Sequence, residues 1–215
     1  MPPLSCRVCG AYDNCLDTWL SGNGHTRAYN GRMIELSLLA HEVGVHERTL
    51  RRALAEGSLR GVRPTPRTLD ISLSEREYVR RSWKLLSALR AALRTEQNVR
   101  FALLFGSAAR GLAAPGSDVD VLVSLCDPDL ERLVELGAKL TRATGRSVDV
   151  VRLRDAETEP SFLADAIADG RVLVDRDGLW PRLRNREPSL RRAGRRTHAQ
   201  RTEAALAGIG RILEH

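Results

Sequence analysis

Two short apolar runs, VRFALLF at 99–105 and VDVLVSL at 119–125, constrain this chain more than anything else in it. Each has the length of one strand and is filled with large or β-branched side chains, so each reads as a buried strand. Both are punctuated at one end. The first runs straight into Gly106 and Ser107, and the second is headed by Ser117, Asp118, Val119 and Asp120. Downstream, 127–143 has a helical apolar face of Leu130, Leu133, Val134, Leu136 and Leu140, with Asp127 as its expected cap. SVDVVRL at 147–153 alternates as a third strand with Asp149 interrupting it, 161–168 reads as a short helix, and 171–174 as a last strand.

Residues two apart on a strand point to the same side, which brings the carboxylates of Asp118 and Asp120 within reach of one cation. Left bare they repel each other, and a divalent metal removes that cost. Mg²⁺ favours a few carboxylates completed by water and substrate phosphates. Asp149, on a neighbouring strand, is the expected third carboxylate. Ser107 opens a helix after a glycine turn, so its hydroxyl and the free N–H groups of the AARG segment offer a seat for phosphate oxygens. Taken singly, each of these acids is more simply an exposed loop-edge side chain and Gly106 a plain turn. Taken together, three acids at one end of a sheet that also carries a Gly-Ser turn point to nucleotidyl transfer.

The stretch FGSAARGLAAPGSDVDVLV, with the later single Asp149, resembles the motif of the DNA polymerase beta nucleotidyltransferase superfamily in its minimal, antitoxin-like form. The resemblance covers about Val99 to Asp175, including the closing GRVLVDRDG. It implies an α/β (α+β) nucleotidyltransferase fold, a mixed sheet with helices, that uses two Mg²⁺ ions and a nucleoside triphosphate, ATP being the expected one. Carried over position by position, Gly106 and Ser107 would hold the triphosphate, and Asp118 and Asp120 would bridge both metals. Asp149 would ligate the catalytic metal and help deprotonate the attacking hydroxyl, with Arg110 and Ser117 as further phosphate or supporting contacts. Minimal members resemble antitoxins that place AMP on a HEPN-type RNase toxin.

Upstream, LSLLAHEVGVHERTLRRALAEG at 36–57 shows two short amphipathic patterns meeting at Gly44, which can take the left-handed turn. Over these 22 residues it resembles a bacterial helix-turn-helix, set in a head domain expected at 33–73. Its second helix, about His46 to Ala55, would present His46, Arg48, Arg51 and Arg52 to a DNA operator. The alternative is a helical packing module with solvated arginines. LRGVRPTPRTLDIS reads as a two-stranded wing with Arg63 and Arg67 near its tip, so the head is either all-α or winged. A capping box of Ser74 and Glu77 is expected to open a connecting helix within 74–98, with Tyr78, Trp83, Leu86, Leu89 and Leu93 inside. Readers of this kind usually bind as homodimers.

The ends are basic and the middle acidic: net charge is +5 over 1–98, −4 over 99–175 and +6 over 176–215. Such asymmetry suits flanks that meet a polyanion. Residues 1–32 read as a flexible leader, in which Cys6, Cys9, Cys15 and His25 either bind zinc or are free thiols, and Met33 is a candidate start. Residues 176–215 read as a basic arm through Pro181 and Pro188, followed by a helix from about Thr197 to Leu213. No run nears the roughly 18 to 20 apolar residues of a membrane helix, and no secretory signal is evident, so a cytoplasmic protein without membrane contact is expected.

Three functions fit these readings. The first is an adenylyl-transferring enzyme with a HEPN-type toxin protein as acceptor and an autoregulating DNA-binding head. The second is transfer to a small hydroxylated molecule such as an aminoglycoside, and the third a transcription regulator that uses the fold only for binding.

Overall fold

The structure is a computed structural model that describes residues 34–62, 69–114 and 116–213. The leader, with Cys6, Cys9, Cys15 and His25, lies outside the described residues, as do Arg63 and Arg67. The head contains β1 (Ile34–Glu35), α1 (Leu36–Glu42), α2 (Glu47–Ala55) and β2 (Asp70–Ile71), followed by α3 (Leu73–Arg94). The main sheet is formed by β3 (Val99–Phe105), β4 (Val119–Leu125), β5 (Val148–Arg152) and β6 (Arg171–Asp175). Between and after these strands come α4 (Gly106–Arg110), α5 (Leu130–Thr144), α6 (Leu153–Ala156), α7 (Pro160–Asp169) and α8 (Leu179–Leu213).

The strand order is β5-β4-β3-β6, and the sheet is mixed: β3 runs antiparallel to β4 and β6, whereas β4 and β5 are parallel. A parallel pair needs a long crossover, and α5 supplies it. Alternate residues of β3 enter different layers. Val99, Ala102 and Leu104 join the core under α3 and α5, while Phe101, Leu103 and Phe105 join the core with α7 and α8. Cover on both sides is why the run is apolar at nearly every position.

Several helix boundaries differ from the sequence reading, each for a physical reason. The cap of α3 is Ser72, whose hydroxyl accepts from the Glu75 N–H at 3.1 Å, instead of Ser74. The expected partner Glu77 pairs with Arg81 on the exposed side, and the hydroxyl of Ser74 meets that of Ser72. The inner stripe from Tyr78 to Leu93 is buried as expected. Helix α5 is capped by Asp129 and not by Asp127, whose backbone is held at both N–H and C=O by the side chain of Asn98. With the start moved, Leu136 and Leu140 are buried and Leu133 half-buried, but Leu130 (64%) and Val134 (66%) face solvent.

The tail is one helix from Leu179, where an arm and a later helix were expected. Both oxygens of the Asp175 carboxylate accept first-turn N–H groups, from Leu179 and Trp180 at 2.9 Å. Pro181 sits in that first turn, where an N–H has no intrahelical partner to lose. Pro188 lies inside the helix and removes a backbone bond. Leu183 and Leu190, buried to either side of it, hold the helix against the sheet.

In the head, α1 and α2 meet at Gly44, whose φ of 67° is the left-handed turn expected there. Strands β1 and β2 pair antiparallel, and Val62 bridges Asp70, so the segments flanking 63–68 run side by side. Leu36, Leu39, Leu50 and Ala53 share one apolar core with α3 and the sheet. The loop after α2 is laid along β6: the Val172 N–H donates to Gly57 O at 3.1 Å, and Ser58 Oγ donates to Val172 O at 2.5 Å. Beside it, Arg171 and Glu75 form an ion pair that is only 3% and 5% exposed.

Candidate active site

The ends of β4 and β5 bring the expected acids together. Asp120 and Asp149 are direct partners in the parallel ladder, and Asp120 also lies opposite Phe105 of antiparallel β3. Ladder partners share a face, so Asp120, Asp149 and Phe105 emerge on the side covered by α6, α7 and α8. Asp118, one residue ahead of β4, returns to the same side. Asp118 and Asp149 are exposed and Asp120 is half-buried. None of the three makes a hydrogen bond or ion pair with a described residue.

Burial pushes the Asp120 carboxyl above its ordinary pKa, and the nearby negative charges of Asp149 and Asp118 push it further, against a smaller pull from Arg110. The repulsion felt at Asp120 places the three acids in one electrostatic neighbourhood. Gly106 is required there twice. Its φ is 68°, a conformation other residues adopt at a cost, and a Cβ on it would fall on the Asp120 carboxylate, inside van der Waals contact.

A hard divalent cation suits this donor set, which is all carboxylate oxygen, unpaired and mutually repelling. Among the described residues no three acidic, histidine or cysteine side chains stand close enough to hold an ion as they are. The acids are therefore near enough to repel without being converged, and rotation of the exposed Asp118 and Asp149 is what would close the set.

Ser107 is half-buried in the first turn of α4, and its carbonyl accepts from the Leu112 N–H at 3.0 Å. Arg110, exposed at the other end of α4, pairs with Asp169 of α7 at 3.0 Å. Ser117 is a turn residue: its N–H donates to Ala114 O at 3.0 Å, and its carbonyl accepts from Arg146 at 2.5 Å. Sequence reasoning missed Arg146, Asp169, Phe105 and Phe162 around this site. Only Phe105, adjoining Gly106, carried a signal; the others are brought in by tertiary contacts.

The head residues are distributed differently. His46 is the N-cap of α2, and its Nδ1 accepts from the Arg48 N–H at 3.1 Å. Arg51 pairs with Glu47 and Arg52 with Glu56 along the same helix. Arg48 is exposed, and its side chain makes no hydrogen bond or ion pair with a described residue.

With this geometry in view, the chain can be set beside known proteins. Residues 88–178 match the family described as Polymerase beta, Nucleotidyltransferase, from the end of α3 through β6. That segment is thus similar to polymerase beta nucleotidyltransferase domains. Among solved structures, the chain is similar to one from a toxin–antitoxin complex with AMP-PNP, at 24% identity over 57% of this chain and 95% of that one, TM-score 0.44. It is also similar to a chain of the tri-AMPylated Shewanella oneidensis HEPN toxin in complex with MNT antitoxin, at 22% identity over 59% and 96%, TM-score 0.42. A third likeness is to a chain of the toxin–antitoxin MntA–HepT, at 22% identity over 58% and 94%, TM-score 0.41. Searched against curated proteins, the chain has no match. Among the described residues no helix is long and apolar enough to cross a membrane.

Proposed function

We propose that this chain transfers a nucleoside monophosphate, AMP from ATP, to a hydroxyl on a protein partner, and that its head binds DNA. The observation that carries the enzymatic reading is the ladder pairing of Asp120 with Asp149, on the face to which Asp118 returns, with Gly106 closed against Asp120. Ser107 and the first amides of α4 seat the triphosphate. Asp118 and Asp120 would hold two Mg²⁺ ions, with Asp149 completing one of them. When bound, such ions offset the charge of the triphosphate and lower the pKa of the attacking hydroxyl. The hydroxyl oxygen forms a bond to the α-phosphorus as the bond to pyrophosphate breaks. Its proton passes to Asp149, the most accessible position on the ladder for a base.

The acceptor assigned here is a HEPN-type toxin, as the motif's antitoxin-like resemblance implies. The head reading rests on the two helices meeting at Gly44 and on the free, exposed Arg48 near the start of α2, where a recognition helix would meet base edges or phosphates. Binding to a palindromic operator would make the working form a homodimer.

The test is incubation of the full chain with α-³²P-labelled ATP, Mg²⁺ and the product of a neighbouring gene with a HEPN-type sequence. Label should pass to that protein and be lost with Asp118→Ala or Asp120→Ala. Label on an aminoglycoside alone would select the small-molecule reading. Operator binding by a wild-type chain that labels nothing would leave a regulator.

A further inference from the structure

The described residues hold six aromatic side chains, and five of them are under 10% exposed: Tyr78, Trp83, Phe101, Phe105 and Trp180. Phe162 is the sixth, at 38%. It stands in the first turn of α7, and its ring meets that of Phe105 edge to face, with centroids 5.4 Å apart and planes at 88°. Phe105 is the residue opposite Asp120 in the β3–β4 ladder and the one before Gly106. From the exposed ring to the site acid there is thus one intervening side chain.

The same line of α7 carries Asp169, two turns further on, which holds Arg110 of α4. Helix α7 is therefore a wall of the phosphate seat, ionic at one end and aromatic at the other. Packing against Phe105 alone does not call for this ring to stand open; a leucine would fill that role and bury more completely. Exposed π-surface beside a seat for phosphates is what a nucleoside triphosphate needs, because its base has two apolar faces to shelter while the phosphates stay at the acids.

We propose that Phe162 is the platform on which the nucleobase stacks, so that it sets affinity for the nucleoside part of the substrate while α4 and the acids set affinity for the phosphates. The inference rests on the nucleotidyltransferase reading above and adds where the base lies. Stacking tolerates any base, so the platform serves nucleoside triphosphates as a class. It acts equally before and during transfer, which places its effect in KM and leaves kcat unchanged.

The experiment is calorimetric titration of the full chain, in Mg²⁺, with two ligands: α,β-methylene-ATP and inorganic tripolyphosphate. Phe162→Ala should weaken the nucleotide by roughly tenfold to hundredfold and leave tripolyphosphate unchanged, with Phe162→Trp near wild type. Equal weakening of both ligands, no weakening of the nucleotide, or full affinity in Phe162→Leu would overturn the platform. A wild-type chain that binds neither ligand overturns the nucleotidyltransferase reading with it, whereas a wild type and Phe162→Ala that bind the nucleotide equally overturn the platform alone.

Discussion

Glu75 and Arg171 neutralise each other inside the core, whereas Asp118, Asp120 and Asp149 repel one another and form no ion pair with a described residue. The first group is closed: Arg171 gives Nη1 and Nη2 to the two Glu75 oxygens at 2.6 and 2.9 Å, Nη1 also to Ser58 O, and Nε to Ala109 O at 2.7 Å. Its guanidinium also lies 3.3 Å from the Tyr78 ring centre. The second group is open, with Asp120 raised in pKa by burial first and by its acidic neighbours second. Both sets of charges touch α4, from opposite ends. Charge that is fully matched within the chain serves to join the head, α3 and the sheet. Charge left unmatched is what the proposed triphosphate and metal would meet.

The sharpest way to break the comparison is to remove a member of each group. Asp120→Asn should lower transfer by on the order of 10³-fold or more, measured as labelled acceptor per unit time. It should do so without loss of stability. A carboxyl raised in the folded state costs stability above its folded pKa, and that cost disappears below its ordinary value of 3.8. The variant should therefore melt at or above wild type at pH 7 and equal it near pH 3. A variant that melts lower at pH 7 would mean that Asp120 is part of the scaffold.

Glu75→Ala and Arg171→Ala should each cost about 3–5 kcal/mol in denaturant unfolding, because each strands a buried charge. A double replacement by Leu at 75 and Met at 171 should recover most of that loss. If the single variants unfold like wild type, the closed group holds nothing together.

Gly106→Ala falls between the two groups. Its left-handed backbone costs about 1–2 kcal/mol with a Cβ, and the Asp120 carboxylate must move aside. Transfer should drop much further than stability does. Smallest is Arg48→Ala in the head. A phosphate contact there predicts weaker operator binding with the salt dependence reduced by about one ion, and no change in melting.

The four strands were legible because each is filled by residues that must be covered, and β3 and β4 carry turn signals at their functional ends. The acids were legible for the same reason, since an aspartate within a buried strand is conspicuous. What was not legible depends on contacts remote in sequence. Glu75 reads as an ordinary first-turn acid until Arg171, 96 residues away, turns it inward, and that fixes the start of α3 at Ser72. Asp127 was the expected cap of α5, but Asn98 occupies its backbone and Asp129 caps the helix instead. Pro188 signals a break, yet buried leucines on both sides carry α8 through it. Phe162 carried no signal of its own within the short helix read at 161–168, and only its place beside Phe105 distinguishes it.

The bonds from Gly57 and Ser58 to Val172 have a consequence for how this protein can be taken apart. They occupy hydrogen-bonding groups of the outermost strand, which a fragment starting at α3 would present bare to other molecules. Unguarded strand margins recruit further strands. A fragment without the head should therefore self-associate through β6, which sizing by light scattering would read.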